Sequence, residues 1–363
     1  MILSESVFRE DEKAIYKLRE LYRSYGYSNY RVSKFEEYDL YAKNKSFLIS
    51  ENLLTFTDTN GKLMALKPDV TLSIIKNAVA DDKTSYKLYY DEHVYRTTSS
   101  GDGFREILQT GLESIGNADI YSECEVIMLA MKSLRSISED CILDISHMQL
   151  LEGLLENCGI KSEDMPEIFA LIESKNVPAL RGVCERKGVS ADNTEALCRV
   201  TSMYLNMAEG MAEIKSLVCG EKMTAAFGEL STVYEIMKAC GCADKLYLDF
   251  SVVNDMNYYD GIIFKGFVYG IHDSILSGGR YDRLMERFGK RTSAIGFAVY
   301  LDRLERLEST ESEYDVDTMI VYGPETDAED IAAITEKCLK NGTVRVSNVL
   351  DASIRYKKLV TLD

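Results

Sequence analysis

Residues 95–116 read YRTTSSGDGFREILQTGLESIG, and this stretch decides the fold. It joins the end of one long strand, Tyr86–Thr97, to a second, Phe104–Ile115, through a loop of small polar residues. Two such runs in succession predict an antiparallel pair. Side chains alternate across a strand, so Gln109, Gly111 and Glu113 share one face. A Gln and a Glu turned inward need partners, because an unpaired buried polar group costs roughly 1–3 kcal/mol. A ligand amine or imidazole would serve. Arg96 ends the preceding strand, and its guanidinium can fork onto a carboxylate or phosphate. Taken singly, the same residues also describe a solvent-facing polar strand and a surface salt bridge.

Working outward, Ala14, Leu18, Leu21 and Tyr25 fall at helical spacing over 11–25, and Gly26 stops that helix. A short strand is expected near Tyr30–Lys34. Asn60-Gly61 sits between two β-rich runs and predicts a hairpin, since both residues take positive φ easily. Pro68-Asp69 then opens a helix. Residues 119–137 read as a largely buried helix, and 149–241 as a mainly helical insertion. Strands resume at Lys245–Val253 and Gly261–Tyr269. SGGRYDRL (277–284) looks like a phosphate cradle but, taken alone, reads more simply as a close turn; SAIGFAVYLDRLERL (293–307) reads as a helix, and the charged stretch after it as a linker. The expected division is a core over 1–310 and a short strand–helix–strand segment over 311–363. That segment is near the lower size limit of an independent domain, roughly 50 residues. Hairpins with helices inserted between them predict an α+β fold on an antiparallel sheet.

The chain has 363 residues, 46% of them hydrophobic, and a net charge of -17. The N-terminus lacks the basic start and apolar stretch of a signal peptide. No apolar run approaches the roughly 18 residues of a membrane span. Nine cysteines without a C-x-x-C pair suggest reduced thiols in a cytoplasmic protein. His93, His147 and His272 lie far apart, and no zinc ligand set is seen. The acidic balance and the lack of a basic run argue against a nucleic-acid partner.

Further segments carry chemistry. In ALKPDVT (65–71), Asp69 and Thr71 stand at a helix start, where they would hold an ammonium group or simply cap the helix. NDMNYYDGIIF (254–264) brings Tyr258 and Tyr259 to a turn before a strand, and Tyr281 follows Gly278-Gly279. GFAVYLDRL (296–304) places Asp302 and Arg303 on the expected helix.

Together, in this order and spacing, these segments resemble the catalytic core of histidyl-tRNA synthetase, a class II aminoacyl-tRNA synthetase, over roughly residues 5–310. The resemblance implies an antiparallel sheet flanked by helices. It implies that Asp69, Thr71, Gln109 and Glu113 hold a histidine ammonium, and that Arg96 meets the carboxylate or an α-phosphate. Tyr259 and Tyr281, beside Tyr258, would face the imidazole, and Arg303 the phosphates of ATP.

Departures from the family pattern fall on the nucleotide side. The arginine expected four residues before the tyrosine pair is Asn254, which cannot supply charge to a phosphoryl transition state. The glutamate after the arginine strand is Thr98, and the loop that follows has no cation. A small glycine in the closing segment is Tyr300, whose ring would crowd ATP. The tail is about half the length of an anticodon-binding domain. With the histidine side retained, the chain is similar to the regulatory subunits of ATP phosphoribosyltransferase. That resemblance implies a non-catalytic protein with no cofactor. It would associate with a short catalytic subunit for the first step of histidine biosynthesis and for feedback inhibition by L-histidine. A homodimer formed through about residues 10–40, inside a hetero-oligomer, is implied as well. A divergent histidyl-tRNA synthetase and a synthetase-like protein binding another amino acid remain the alternatives.

Overall fold

The computed structural model describes residues 8–44, 48, 52–77, 85–97, 103–116, 119–253, 258–306 and 313–362. The chain forms two compact units, Met1–Leu307 and Glu308–Asp363.

The strands described in the first unit are β1 (Ser28–Asn29), β2 (Phe35–Glu37), β3 (Thr55–Thr57), β4 (Leu63–Leu66), β5 (Tyr86–Thr97), β6 (Phe104–Gly116), β7 (Cys141–His147), β8 (Leu205–Asn206), β9 (Leu246–Leu248), β10 (Ile262–Val268), β11 (Leu276–Arg280) and β12 (Ser293–Tyr300). Nine of them pair in the order β1-β5-β6-β12-β11-β10-β7-β9-β8, while β2, β4 and β3 form a small separate sheet. The large sheet is antiparallel except where β1 meets β5 and β7 meets β9. This is the α+β architecture that the hairpins and inserted helices predict.

Period-2 alternation gives the large sheet two different faces. Leu112 and Phe297 point to the face covered by the helices Glu10–Ser24 and Ile120–Ile137. Tyr22 of the first helix packs edge-on against Phe297 with ring centroids 6.0 Å apart, and its hydroxyl meets Ser133 of the second at 3.0 Å. The Ile120–Ile137 helix is capped by Asp119, whose carboxylate accepts the Ser122 N–H at 2.9 Å. It is buried nearly all round, so its two acids carry partners: Glu123 pairs with Arg280 at 2.6 Å and Glu125 with Lys87 at 2.5 Å. The other face of β6 and β12 bears Gln109, Gly111, Glu113, Gly296, Ala298 and Tyr300, and it holds the site described below.

Several expectations are corrected. Residues 293–307 do not form one helix: Ser293–Tyr300 is β12, and Leu301–Arg306 is a short 3-10 helix. Ile295, Phe297 and Val299 follow the period-2 pattern. Gly296 and Ala298 on the alternate face are small because a cavity lies there, and that smallness makes the stretch resemble a helix. The Gly278-Gly279 pair lies inside β11 rather than in a close turn. Asn60-Gly61 does join β3 and β4, but only Gly61 has positive φ. The Asp58 carboxylate accepts the Asn60 and Lys62 N–H groups and shapes a longer turn ending in a glycine bulge. The expected strand at 30–34 is displaced to Ser28–Asn29, and the one at 245–253 shortens to Leu246–Leu248.

Between Met148 and Ala239 the chain is mainly helical, and β8 within it rejoins the edge of the large sheet. The second unit holds β13 (Val316–Tyr322), a helix at Ala328–Leu339, β14 (Val344–Ser347) and β15 (Tyr356–Leu362). Its three strands are parallel, in the order β14-β13-β15, so one strand adds to the expected strand–helix–strand. Among the described residues no helix is long and apolar enough to cross a membrane.

Candidate functional site

Strand register places most of the site. Gln109, Gly111 and Glu113 of β6 stand opposite Tyr300, Ala298 and Gly296 of β12, and opposite Glu92, Tyr90 and Leu88 of β5. Asp69 and Thr71 come from the start of the helix Thr71–Asn77, and Tyr258 and Tyr259 from the segment before β10. Tyr281 follows β11. Together they line a cavity of about 340 Å3, at the lower end of the roughly 300–1,000 Å3 of small-molecule sites. Asp69, Thr71, Arg96, Gln109, Glu113, Tyr258, Tyr259, Tyr281, Tyr300 and Arg303, all singled out from sequence, line this cavity. Thr98 and Asn254 lie outside the described residues.

Glu113 is the centre of this end. It is 2% exposed. One carboxylate oxygen accepts the Thr71 hydroxyl at 2.7 Å and the other the Tyr281 hydroxyl at 2.5 Å. Burial pushes its pKa up to about 8, and nearby Asp69 adds to the rise, while the two hydroxyl donors pull it back. Asp69 is raised as well, first by burial, against the lowering effect of the Leu72 N–H and Arg96. Its Oδ1 accepts the Leu72 N–H at 2.9 Å, so the carboxylate caps the helix and lines the cavity at once. The two readings open in the sequence are therefore compatible. A buried carboxyl, with a half-buried second one close enough to raise its pKa, is an arrangement that a cation would stabilise.

One neighbouring donor is left unsatisfied. Gln109 is 2% exposed and its Nε2 has no partner. Its cross-strand neighbours are engaged elsewhere: Glu92 accepts from Lys67 at 2.6 Å, and the Tyr300 hydroxyl bonds Ser277 at 2.8 Å. Arg96 gives its Nε–H to the Pro68 carbonyl at 2.9 Å, which fixes the guanidinium beside the cavity. Tyr90, Tyr258, Tyr259 and Tyr281 all have pKa values raised well above the usual, chiefly by burial, so they stay protonated O–H donors.

Two glycines make room for these groups. A Cβ on Gly296 would lie 1.7 Å from Glu113 Oε2 and 2.5 Å from the Leu112 carbonyl oxygen. A Cβ on Gly111 would lie 2.6 Å from the Tyr90 hydroxyl. The β6 and β12 backbones must be bare for Glu113 and Tyr90 to lie across them.

Tyr300 closes the far side. It is 7% exposed, its ring lies 4.5 Å under the Arg303 guanidinium, and Arg303 also donates to the Ser274 carbonyl. Tyr90, Gly296, Ser277 and Lys265 also line the cavity, beyond the residues that the sequence singles out. Tyr90 was available by counting back in twos from Arg96. Gly296 was hidden by assigning its segment to a helix.

The Histidyl-tRNA synthetase family profile matches residues 3–304. The chain is 33% identical over 296 residues to the ATP phosphoribosyltransferase regulatory subunit of Caldanaerobacter subterraneus subsp. tengcongensis, covering 79% of this chain and 76% of that protein. Among solved structures it is similar to an ATP phosphoribosyltransferase regulatory subunit/histidyl-tRNA synthetase from Bacillus halodurans, with TM-score 0.78 and 23% identity over 100% of this chain and 96% of that one. It also resembles a chain of the ATP phosphoribosyl transferase complex from Thermotoga maritima, with TM-score 0.64 and 17% identity over 81% of this chain and 97% of that one. The fold is that of the class II synthetase core. The chain belongs to the histidyl-tRNA synthetase family and, within it, to the ATP phosphoribosyltransferase regulatory subunits.

Proposed function

We propose that this chain binds L-histidine in the cavity without activating it, and that it serves as the non-catalytic regulatory subunit of a short-form ATP phosphoribosyltransferase. In this role it is required for the first step of histidine biosynthesis and for feedback inhibition by histidine. The carrying observation is Glu113: a buried carboxyl, held by two hydroxyls beside Asp69, with the unsatisfied Gln109 amide nearby. An amino-acid ammonium between Asp69 and Glu113, with a ligand acceptor at Gln109, meets every open demand. Arg96 takes the carboxylate, and Tyr258, Tyr259 and Tyr281 enclose the side chain. Tyr300 supports binding without activation, because its ring occupies space on the side where Arg303 would meet a nucleotide. Asn254 and Thr98 are the other two positions assigned to the lost nucleotide site.

The name of the Thermotoga complex supports a partner of the phosphoribosyl-transferring kind. We assign a homodimer within that hetero-oligomer, with residues 1–310 as its synthetase-like core and 311–363 as a separate short segment. All nine cysteines are free, which suits a reducing cytoplasm. Histidine then acts by binding two states of the complex unequally, and catalytic substrates feel it reciprocally.

The test is to mix the purified chain with a short-form catalytic subunit and follow association and rate while titrating histidine. No association and no change in rate would reject the role. Histidine-dependent ATP–pyrophosphate exchange by the chain alone would instead identify an active synthetase. In a thermal-shift panel, a ligand at about 100 times its dissociation constant stabilises by roughly 2.7 kcal/mol. A shift with another amino acid and none with histidine would reassign the ligand.

A further inference from the structure

The cavity continues past the amino-acid end along a floor set by strand register. Gly111 of β6 faces Ala298 of β12, Ala298 faces Ser277 of β11, and Ser277 faces Lys265 of β10. The adjacent row runs Glu113, Gly296, Gly279. Tyr90 lies across Gly111, Glu113 across Gly296 and Tyr259 against Gly279, so the open part of the floor is Ala298 and Ser277, leading to Lys265. Neighbouring strands are about 4.8 Å apart, so Lys265 on β10 lies about 14 Å across the sheet from Gly111 on β6. That is longer than an amino acid seated against Glu113 and Gln109.

At its far end the floor has donors without acceptors. Lys265 lines the cavity and has no hydrogen-bond or ion-pair partner among the described residues. The hydroxyls of Ser277 and Tyr300 share one hydrogen bond of 2.8 Å. Two hydroxyls carry two protons and that bond uses one, so the second is left to donate into the cavity. The Ser274 carbonyl, also at this end, is already taken by Arg303. The carboxyl opposite Lys265 on β7 is Asp144, which makes no close ion pair with it; burial and Asp249 raise the Asp144 pKa, and Lys175 and Lys265 act against that rise. Asp144 lies on the side away from Ser277, with its Oδ1 unpartnered.

We propose that the Lys265 end of the cavity binds an oxyanion, held by the lysine ammonium and the free proton of the Ser277–Tyr300 pair. A compact ammonium with rotatable donors suits a phosphate as a point charge. The oxyanion belongs to free phosphate or to a small phosphorylated molecule lying beside the amino acid. It is a second subsite of the same cavity, and in that sense rests on the amino-acid reading of the first.

The experiment is calorimetric titration of the full chain with inorganic phosphate and, separately, glycerol 3-phosphate, at fixed ionic strength in chloride, with and without saturating histidine. One site per chain is expected, weakened at least tenfold by Lys265→Met and several-fold by Ser277→Ala. Lys337→Met, in the second unit, should leave it unchanged. Preference for one probe identifies the source of the anion. Equal affinity in the wild type and Lys265→Met, or no binding of either probe at millimolar concentration, overturns the proposal. Should Lys265→Met lose its cooperative melting transition, Ser277→Ala decides, and unchanged affinity there overturns the proposal as well. Histidine titrations on the same proteins separate the two readings. Histidine binding that survives Lys265→Met but fails in Glu113→Ala upholds the amino-acid site whatever phosphate does. Lys265-dependent phosphate binding without histidine binding rejects only the amino-acid site.

Discussion

The Glu113 end and the Tyr300 end of the cavity are built from the same two strands, yet they answer opposite demands. At the first, bonding capacity is left over: a buried Glu113 carboxyl held by two hydroxyls, Asp69 close enough to raise its pKa, and an amide nitrogen with no partner. At the second, Tyr300 and Arg303 stack on each other and the ring fills the nucleotide side, leaving the Lys265 ammonium and one proton of the Ser277–Tyr300 pair to donate. Unmet demand is the mark of a ligand site, because leaving it unmet costs stability. Met demand is the mark of a site given over to structure. On the proposed reading, one pair of strands keeps an amino-acid receptor and fills the nucleotide side next to it.

The most severe way to break this contrast is Glu113→Ala. Removing one partner of a buried, charge-assisted contact costs about 2–5 kcal/mol, so histidine affinity should fall at least about 30-fold by calorimetry. Folding should survive, because the free protein also loses a buried carboxyl. The pH profile of stability checks that statement. The folded-state pKa of about 8 lies above the ordinary 4.5, so the unfolded chain binds fewer protons between those values. Glu113 stabilises fully below about 4.5, and its contribution is lost as pH rises through about 8. Glu113→Gln should remove that slope from denaturation curves. An unchanged slope would mean that the carboxyl is not buried in solution.

Gly296→Ala attacks the same end through the backbone. The added methyl would sit 1.7 Å from Glu113 Oε2 and 2.5 Å from a carbonyl oxygen, so the side chain and the strand must both shift. Overpacking of this kind costs about 1–3 kcal/mol, visible as a lower midpoint in urea, and histidine binding should weaken about tenfold or more. Full affinity in a folded Gly296→Ala protein would show that Glu113 does not touch the ligand.

How much of this contrast was legible in the sequence depends on the spacing signal. Gln109, Gly111 and Glu113 were readable because a strand has a period of two and the run is long. Asp69 and Thr71 were readable because proline marks a helix start. The far end was not. Gly296 and Ala298 are small on account of a cavity that only tertiary pairing creates, so β12 passed for a helix and Ser277 for part of a turn. Lys265 sits in an apolar strand, IIFKGFV, and only its register opposite Ser277 reveals that it faces the cavity. The hairpin at Asn60-Gly61 is legible, but its geometry is set by Asp58, two residues earlier.

A milder probe is proton linkage. Near pH 7, Glu113 is mostly neutral in the empty cavity, and an ammonium beside it favours the ionised form. Histidine binding should therefore release up to about one proton, and affinity should rise up to about tenfold per pH unit as pH approaches 8 from below. Calorimetry in two buffers of different ionisation enthalpy counts the proton. Binding without release would place the imidazole against Glu113, where it takes the proton internally, and would turn the ligand round within the cavity.

The smallest expected effect belongs to the closed end. Tyr300→Phe removes the hydroxyl bonded to Ser277 but keeps the ring under Arg303, so it should cost only about 0.5–1.5 kcal/mol of stability. Histidine affinity should stay within about twofold. Tyr300→Gly removes the ring as well, and ATP should then bind where the wild type excludes it, measured as competition against a fluorescent nucleotide. Histidine-dependent pyrophosphate exchange should still be absent, because Asn254 supplies no positive charge to the phosphoryl transition state. If Tyr300→Phe alone admitted ATP, the hydroxyl rather than the ring would be the plug. If Tyr300→Gly admitted none, the nucleotide would be excluded by something other than this residue. The contrast between the two ends would then rest on the Glu113 side alone.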